Sequence, residues 1–333
     1  VIATAGILAQ QHRPHIRIEW GMHRFEFSAD AFGDRFALAD LPLPRPPRGY
    51  AVQMLDTDTL LDRASGEFLP VRSPVLNGLF TTFDDWRNKP VKELVKVDRY
   101  TKEYRAFFAD EAKRRQQHIV AGSHLEKKNG SFMNVAYVYG PNGLVYMHDK
   151  THIFPAEAQW KTGEGDRMEA FDLPFARVGL NVCYEAEIPE CAAKLAEQGA
   201  EIILCPSFTF SEYGFWRVRH SAQARCIENQ LYFVHCATGG KLPKGPLPNG
   251  WTRSSILSPC DTPWPAPNGV VAEADTNVEM VLRGTVDLDL IQQNRASGVA
   301  PTFRDRRRRA DCYRIWPSHL DVPAKPKARL RRV

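Results

Sequence analysis

The chain has no apolar run near the roughly 18 residues that cross a bilayer, so no membrane-spanning helix is expected. The opening stretch from Val1 to Ala9 is apolar, but no basic residue precedes it, and Gln10, Gln11 and His12 follow at once. No secretory leader is read there, and the cytoplasm is the expected location. Cysteines number 7, an odd count with irregular spacing, which argues against a disulfide framework and for reduced thiols. No cysteine pair has zinc spacing, and Cys183 and Cys191 stand too far apart for a CxxC motif. His124, His148, His152 and His235 lack ligand spacing, so no metal site is expected. There is no internal repeat.

Charge of one sign is also scarce: 44 basic against 39 acidic side chains leave a net +5. The excess gathers in Arg304, Arg306, Arg307, Arg308 and Arg309 and in the tail from Lys325 to Arg332. No stacking aromatics are interleaved, and Asp305 and Asp311 interrupt the run. It reads as solvated surface or subunit contact, not as a nucleic-acid interface.

What is present divides the chain in three. Residues 1–73 are poorly patterned: Leu41-Pro42-Leu43-Pro44-Arg45-Pro46-Pro47 excludes helix and central strand, and no sustained period is read around it, so weak or irregular structure is expected. Residues 74–318 form the patterned domain, and 319–333 are a basic tail. In the middle part, 74–80 reads as a loop over a site. Apolar residues at 104, 107, 108 and 112 predict an amphipathic helix with Thr101 at its cap. Strands are read at 117–123, 133–139 and 144–150, the last two joined by a turn at Pro141-Asn142-Gly143. Strand 176–182 leads to helix 189–198, strand 200–207 to helix 216–229, and further strands follow at 231–237, 254–258, 269–274 and 278–288. Strands alternating with helices, with hairpins among them, predict an α/β fold with mixed sheets.

The pattern is organised around Gly179-Leu180-Asn181-Val182-Cys183-Tyr184-Glu185. A short buried strand ends at a cysteine that faces the start of a helix opened by Pro189 and Glu190 and stopped by Gly199. Backbone N–H groups at such a place favour a thiolate, which suits a nucleophile; the alternative is a buried inert thiol. Lys150 ends another strand, and Glu157 follows it closely. A free thiol with a pKa of about 8.5 is only a few per cent thiolate at neutral pH. A neighbouring ammonium favours the thiolate and then binds an oxyanion, and a carboxylate can carry a proton to a leaving amine. The backbone N–H of Tyr184 is the second oxyanion donor candidate. Phe208 and Thr209, after a neighbouring strand, are candidates for the substrate pocket; the alternative is packing in the core or at a subunit interface. Lys150 read singly is a solvated strand end, and Glu157 a loop charge.

Lys150-Thr151-His152-Ile153-Phe154-Pro155 with Glu157, then Asn181-Val182-Cys183-Tyr184-Glu185 with Pro189-Glu190, resembles the nitrilase superfamily of carbon–nitrogen hydrolases. Gly122-Ser123-His124, Asn134-Val135-Ala136, Pro206-Ser207 and Arg225-Cys226-Ile227-Glu228-Asn229-Gln230 add to the likeness, which covers about residues 74 to 318. It is most similar to the branch sometimes fused to an acetyltransferase domain. The resemblance implies a four-layer αββα sandwich with two mixed β-sheets, a homodimer or higher homo-oligomer, and no cofactor. It implies hydrolysis of a small-molecule amide or nitrile through a cysteine acyl-enzyme. By position Cys183 matches the nucleophile, Lys150 the catalytic lysine and Glu157 the second, supporting glutamate. The family's general-base glutamate has no counterpart in place: Ser73 falls where it belongs, and the nearest carboxylate, Glu67, is the base candidate. The alternative function is an impaired scaffold or binding protein; acyl transfer to an acceptor other than water would use the same residues.

Overall fold

The central strands are apolar on both faces, so each sheet has to be covered twice. A computed structural model describes strands within 5–8, 15–21, 52–54, 59–61 and 68–70, and then residues 91–160, 162–239, 250–277 and 281–315. Its first strands are β1 (Ala5–Leu8), β2 (His15–Gly21), β3 (Val52–Met54), β4 (Thr59–Leu61) and β5 (Phe68–Pro70). Helix α1 (Thr101–Arg115) and strands β6 (Gln117–Lys128), β7 (Ser131–Tyr139), β8 (Val145–Asp149) and β9 (Thr162–Gly163) follow. Next come β10 (Phe171–Asp172), β11 (Arg177–Leu180), α2 (Pro189–Glu197), β12 (Ile202–Ser207), α3 (Glu212–Asn229) and β13 (Tyr232–Ala237). The described part closes with β14 (Ser255–Leu257), β15 (Val270–Glu273), β16 (Val281–Asp287), α4 (Asp289–Ser297), α5 (Thr302–Arg308) and α6 (Ala310–Ile315).

One sheet runs β3-β1-β6-β7-β8, with β9 also pairing β7; the other runs β10-β11-β12-β13-β14-β15. In the second, β11, β12 and β13 are parallel neighbours and the outer pairs are antiparallel, so the sheet is mixed. Strand alternation then builds the layers. In β7, Ala136 and Val138 face the other sheet, while Val135, Tyr137 and Tyr139 pack with Tyr104, Phe107 and Phe108 of α1. In β12, Ile202 and Leu204 face inward, while Ile203 and Cys205 pack with Leu195 of α2 and Val218 and Ala222 of α3. The order is helix, sheet, sheet, helix: an α/β fold with four αββα layers. The helix expected at 104, 107, 108 and 112 buries those four residues. Gly199 ends α2 at φ +93°, a left-handed corner that suits glycine. No described helix is long and apolar enough to cross a membrane.

Several expectations change. The irregular structure expected before residue 73 gives way, where described, to strands: β1 sits between β3 and β6, and β2 pairs with β16 from His15↔Asp287 to Gly21↔Val281. Pairing to distant strands decides this, not local propensity. The signal present was strict alternation in His15-Ile16-Arg17-Ile18-Glu19-Trp20. Thr101 is the first residue of α1 and not its cap; its hydroxyl lies 2.9 Å from Nε2 of His124. Helix α3 begins at Glu212, four residues earlier than expected, because the Ser211 hydroxyl accepts from the Gly214 amide at 3.2 Å. The hairpin between β6 and β7 turns at Asn129-Gly130, both at positive φ, a two-residue signal the reading passed over. The loop at 74–80 and the tail at 319–333 lie outside the described residues.

Candidate active site

Lys150 continues the pairing of β8 with β7: its amide donates to the Asn134 carbonyl at 2.9 Å. Its own carbonyl accepts from the Gly165 amide at 2.9 Å. The main chain is therefore fixed on both sides, and the side chain is 2% exposed. Lys150 is buried, not a solvated strand end. Its ammonium donates to Oε2 of Glu157, which arrives on a short 3-10 turn, Pro155–Trp160. The same Oε2 accepts from the Phe154 amide at 2.6 Å, and Oε1 accepts from Nδ2 of Asn134 at 2.7 Å. Two buried charges are tolerated here because they are paired and their remaining lone pairs are hydrogen-bonded. Burial opposes the charged lysine. Glu157 first, and then Cys183, outweigh that cost and hold the ammonium above the ordinary lysine value.

Cys183 thus lies within electrostatic reach of Lys150. Strand β11 ends at Leu180, and Asn181 still donates to Leu204 at 3.1 Å across the parallel pair. Two residues later Cys183 takes φ +52°, left-handed for a non-glycine residue. It opens the 3-10 turn Cys183–Glu187 at a sharp corner. The sulfur is half-buried and 3.7 Å from the Phe208 carbonyl. Tyr184 is second in that turn, at the end where helical amides lack intrahelical acceptors.

Glu185 is the residue whose role the sequence reading missed. It is 0% exposed, and its carboxylate joins three separate points. Oε1 accepts from the Thr151 amide at 2.7 Å and the Thr151 hydroxyl at 2.6 Å. Oε2 accepts from the Val182 amide at 2.6 Å. Nε2 of His148 lies 3.0 and 2.9 Å from the two oxygens. Burial works against this anion, but His148, Thr151 and Val182 prevail and hold its carboxyl below the ordinary value. The available signal was its place two residues after the cysteine.

Half-buried rings border the cysteine. Phe154 meets Tyr184 edge-on at 5.7 Å and Phe210 at 6.4 Å, and Phe208 meets Phe210 at 5.0 Å. Thr209 is placed differently: it is buried, and its hydroxyl donates to the Trp251 carbonyl at 2.8 Å. Glu67 and Ser73 lie outside the described residues. The described arrangement offers a thiol at a corner, a fixed cation within electrostatic reach of it, and an apolar aromatic wall.

Residues 80–296 match the family model of carbon–nitrogen hydrolases. The probable hydrolase YhcX of Bacillus subtilis is 35% identical over 228 residues, 68% of this chain but 44% of that protein. The match therefore spans less than half of that relative's length. An omega-amidase of Xenopus laevis is 30% identical over 207 residues, 60% of this chain and 70% of the relative. Among solved structures, a carbon–nitrogen hydrolase from Helicobacter pylori aligns with a TM-score of 0.65 at 21% identity, covering 91% of this chain and 98% of the other. An amidase from Nesterenkonia sp. aligns with a TM-score of 0.56 at 15% identity, covering 86% and 95%. At these identities the structural likeness speaks to fold alone.

Proposed function

The chain belongs to the carbon–nitrogen hydrolase family of the nitrilase superfamily, and from that premise we propose that it hydrolyses a small-molecule amide through a thioester on Cys183. The thiol of Cys183 gives its proton to a base, and the sulfur attacks the amide carbonyl carbon. The oxyanion that forms is met by the Lys150 ammonium and the Tyr184 amide; removing one such donor typically costs about 3 kcal/mol. Collapse of the intermediate breaks the C–N bond, and the base returns the proton to the departing amine. Water then attacks the thioester by the same route, releasing the acid and the free thiol. Glu157 holds Lys150 charged and in place. Glu67, the carboxylate nearest to the position of the family's glutamate, is the base candidate.

The observation that carries this reading is the buried Lys150 ammonium, held charged by Glu157 and within electrostatic reach of Cys183. The omega-amidase relative favours an amide over a nitrile. The aromatic wall of Phe154, Tyr184, Phe208 and Phe210 suits an apolar acyl chain.

The test is ammonia release from a panel of short amides, ω-amides, carbamoyl compounds and nitriles, with mass analysis of the Cys183 peptide during turnover. An added acyl mass is expected on Cys183, together with loss of turnover in Cys183→Ala. A Cys183→Ala protein that hydrolyses at the parental rate would remove the proposal. The scaffold reading predicts no ammonia release from any member of the panel.

A further inference from the structure

We propose that Glu185 is a positioning residue that sets the Cys183 sulfur in register with the Lys150 ammonium. The inference rests on the cysteine-hydrolase reading above.

The geometry is specific to the two reacting residues. Lys150 lies between two partners of Glu185, His148 and Thr151. Cys183 lies between a third partner, Val182, and Glu185 itself. One carboxylate thus bonds to the neighbours of both groups and ties the end of β8 to the corner after β11. These two strands belong to different sheets, so no backbone ladder fixes one against the other. The Glu185 side chain bridges that gap through the Thr151 amide, the Thr151 hydroxyl and His148, and accepts from Val182 on its own side.

A carboxylate is required at this place. The Thr151 amide, the Thr151 hydroxyl and the Val182 amide all donate, two to one oxygen and one to the other. A glutamine amide would turn its NH₂ group toward at least one of these N–H or O–H groups, leaving a buried donor without an acceptor. The turn would loosen while the fold's cores stayed packed. Loss of charge acts in the opposite direction: removing an anion near the thiol favours the thiolate. Positioning and charge are therefore separable by experiment.

The experiment compares the parent with Glu185→Gln in three readouts, after a thermal melt confirms folding. The first is kcat and KM for the best amide of the panel. The second is the rate of Cys183 alkylation by 2-chloroacetamide, where the S–C bond forms as chloride leaves and the amide carbonyl must sit near Lys150. The third is the rate of Cys183 modification by methyl methanethiosulfonate, which reads thiolate without an amide to orient. Peptide mass analysis assigns both modifications to Cys183.

The expected result is a kcat lowered about 100-fold with KM changed less than about threefold. The ratio of the chloroacetamide rate to the thiosulfonate rate should fall about tenfold, with the thiosulfonate rate undiminished. A folded Glu185→Gln protein with parental kcat and parental rate ratio overturns the proposal and leaves the hydrolase reading standing. A parent that hydrolyses nothing, with a rate ratio that still falls in the variant, removes the hydrolase reading and keeps the positioning role. Thr151→Val covers a failure of Glu185→Gln to fold. It deletes one donor and keeps the backbone bond, and should lower the rate ratio about threefold; a parental ratio there overturns the proposal.

Discussion

The Lys150 ammonium donates to the Glu157 carboxylate with both side chains buried, and Asn134 closes the other carboxylate oxygen. A buried pair of this kind is weak evidence for stability, because desolvation offsets much of the Coulombic gain. The partners are unequal. Glu157 has other donors from Phe154 and Asn134, whereas burial alone would push the lysine toward neutrality.

Glu157→Gln should therefore remove turnover and destabilise the protein together. Breaking one side of a buried pair costs about 3–5 kcal/mol, measured here by chemical denaturation. Replacing both residues, Lys150→Met with Glu157→Leu, should recover much of that stability and none of the activity. A single variant as stable and as active as the parent would contradict the assigned role. Because Lys150 is held above its unfolded value, the pair's support persists at neutral pH and is lost only as pH rises past the ordinary lysine range.

The corner at Cys183 carries its own prediction. A left-handed backbone costs a non-glycine residue about 1–2 kcal/mol, and Cys183 adopts φ +52°. Cys183→Gly should be more stable than Cys183→Ala by about 1 kcal/mol in denaturant titration, with both inactive. Equal stability would mean that the corner relaxes when the sulfur is removed.

Much of this site was legible as strand ends. The strands before Lys150 and Cys183 have strong local patterns, and both residues fall just past them, which is where the structure places them. The carboxylates were less legible. Glu157 and Glu185 stand in short 3-10 turns with no period, so each looks like a surface charge until two sheets close over it. Strand β2 alternates plainly, but its partner β16 lies more than 250 residues away in sequence, and only the tertiary pairing makes its role visible. The sequence reading singled out Lys150 and Cys183, which the fold brings within electrostatic reach of each other, and missed the carboxylate that joins their neighbours.

Gly165 tests how closely the lysine must be held. A Cβ there would sit 2.4 Å from the Asp149 carbonyl oxygen and 3.0 Å from its carbon. Both are main-chain atoms next to Lys150, and neither can rotate aside. Gly165→Ala should displace the end of β8 and the Lys150 main chain. Overpacking of this kind costs about 1–3 kcal/mol, and a shift near 1 Å should lower kcat about 100-fold. A variant with parental kcat would show that the strand end yields without moving the ammonium.

Acid should weaken the fold through buried imidazoles away from the site. Burial pushes His118 and His124 down to about 4 and, with Arg219 near it, His235 down to about 3. In the unfolded chain each takes up a proton near its ordinary pKa of about 6.5. As pH falls below that value, the unfolded state binds protons that the native state refuses until about pH 4 or lower. Stability is therefore lost across that window, by about 1.4 kcal/mol per pH unit for each histidine. His235 isolates one of them. It is 0% exposed, stacks on Phe215 at 5.5 Å, and neither ring nitrogen has a hydrogen-bond partner among the described residues. His235→Phe keeps a ring in that slot and removes the titration. Between pH 7 and pH 5 the variant should lose about 2 kcal/mol less stability than the parent in denaturant titrations. Equal losses would mean that His235 reaches a proton, or a solvating partner, in the folded state.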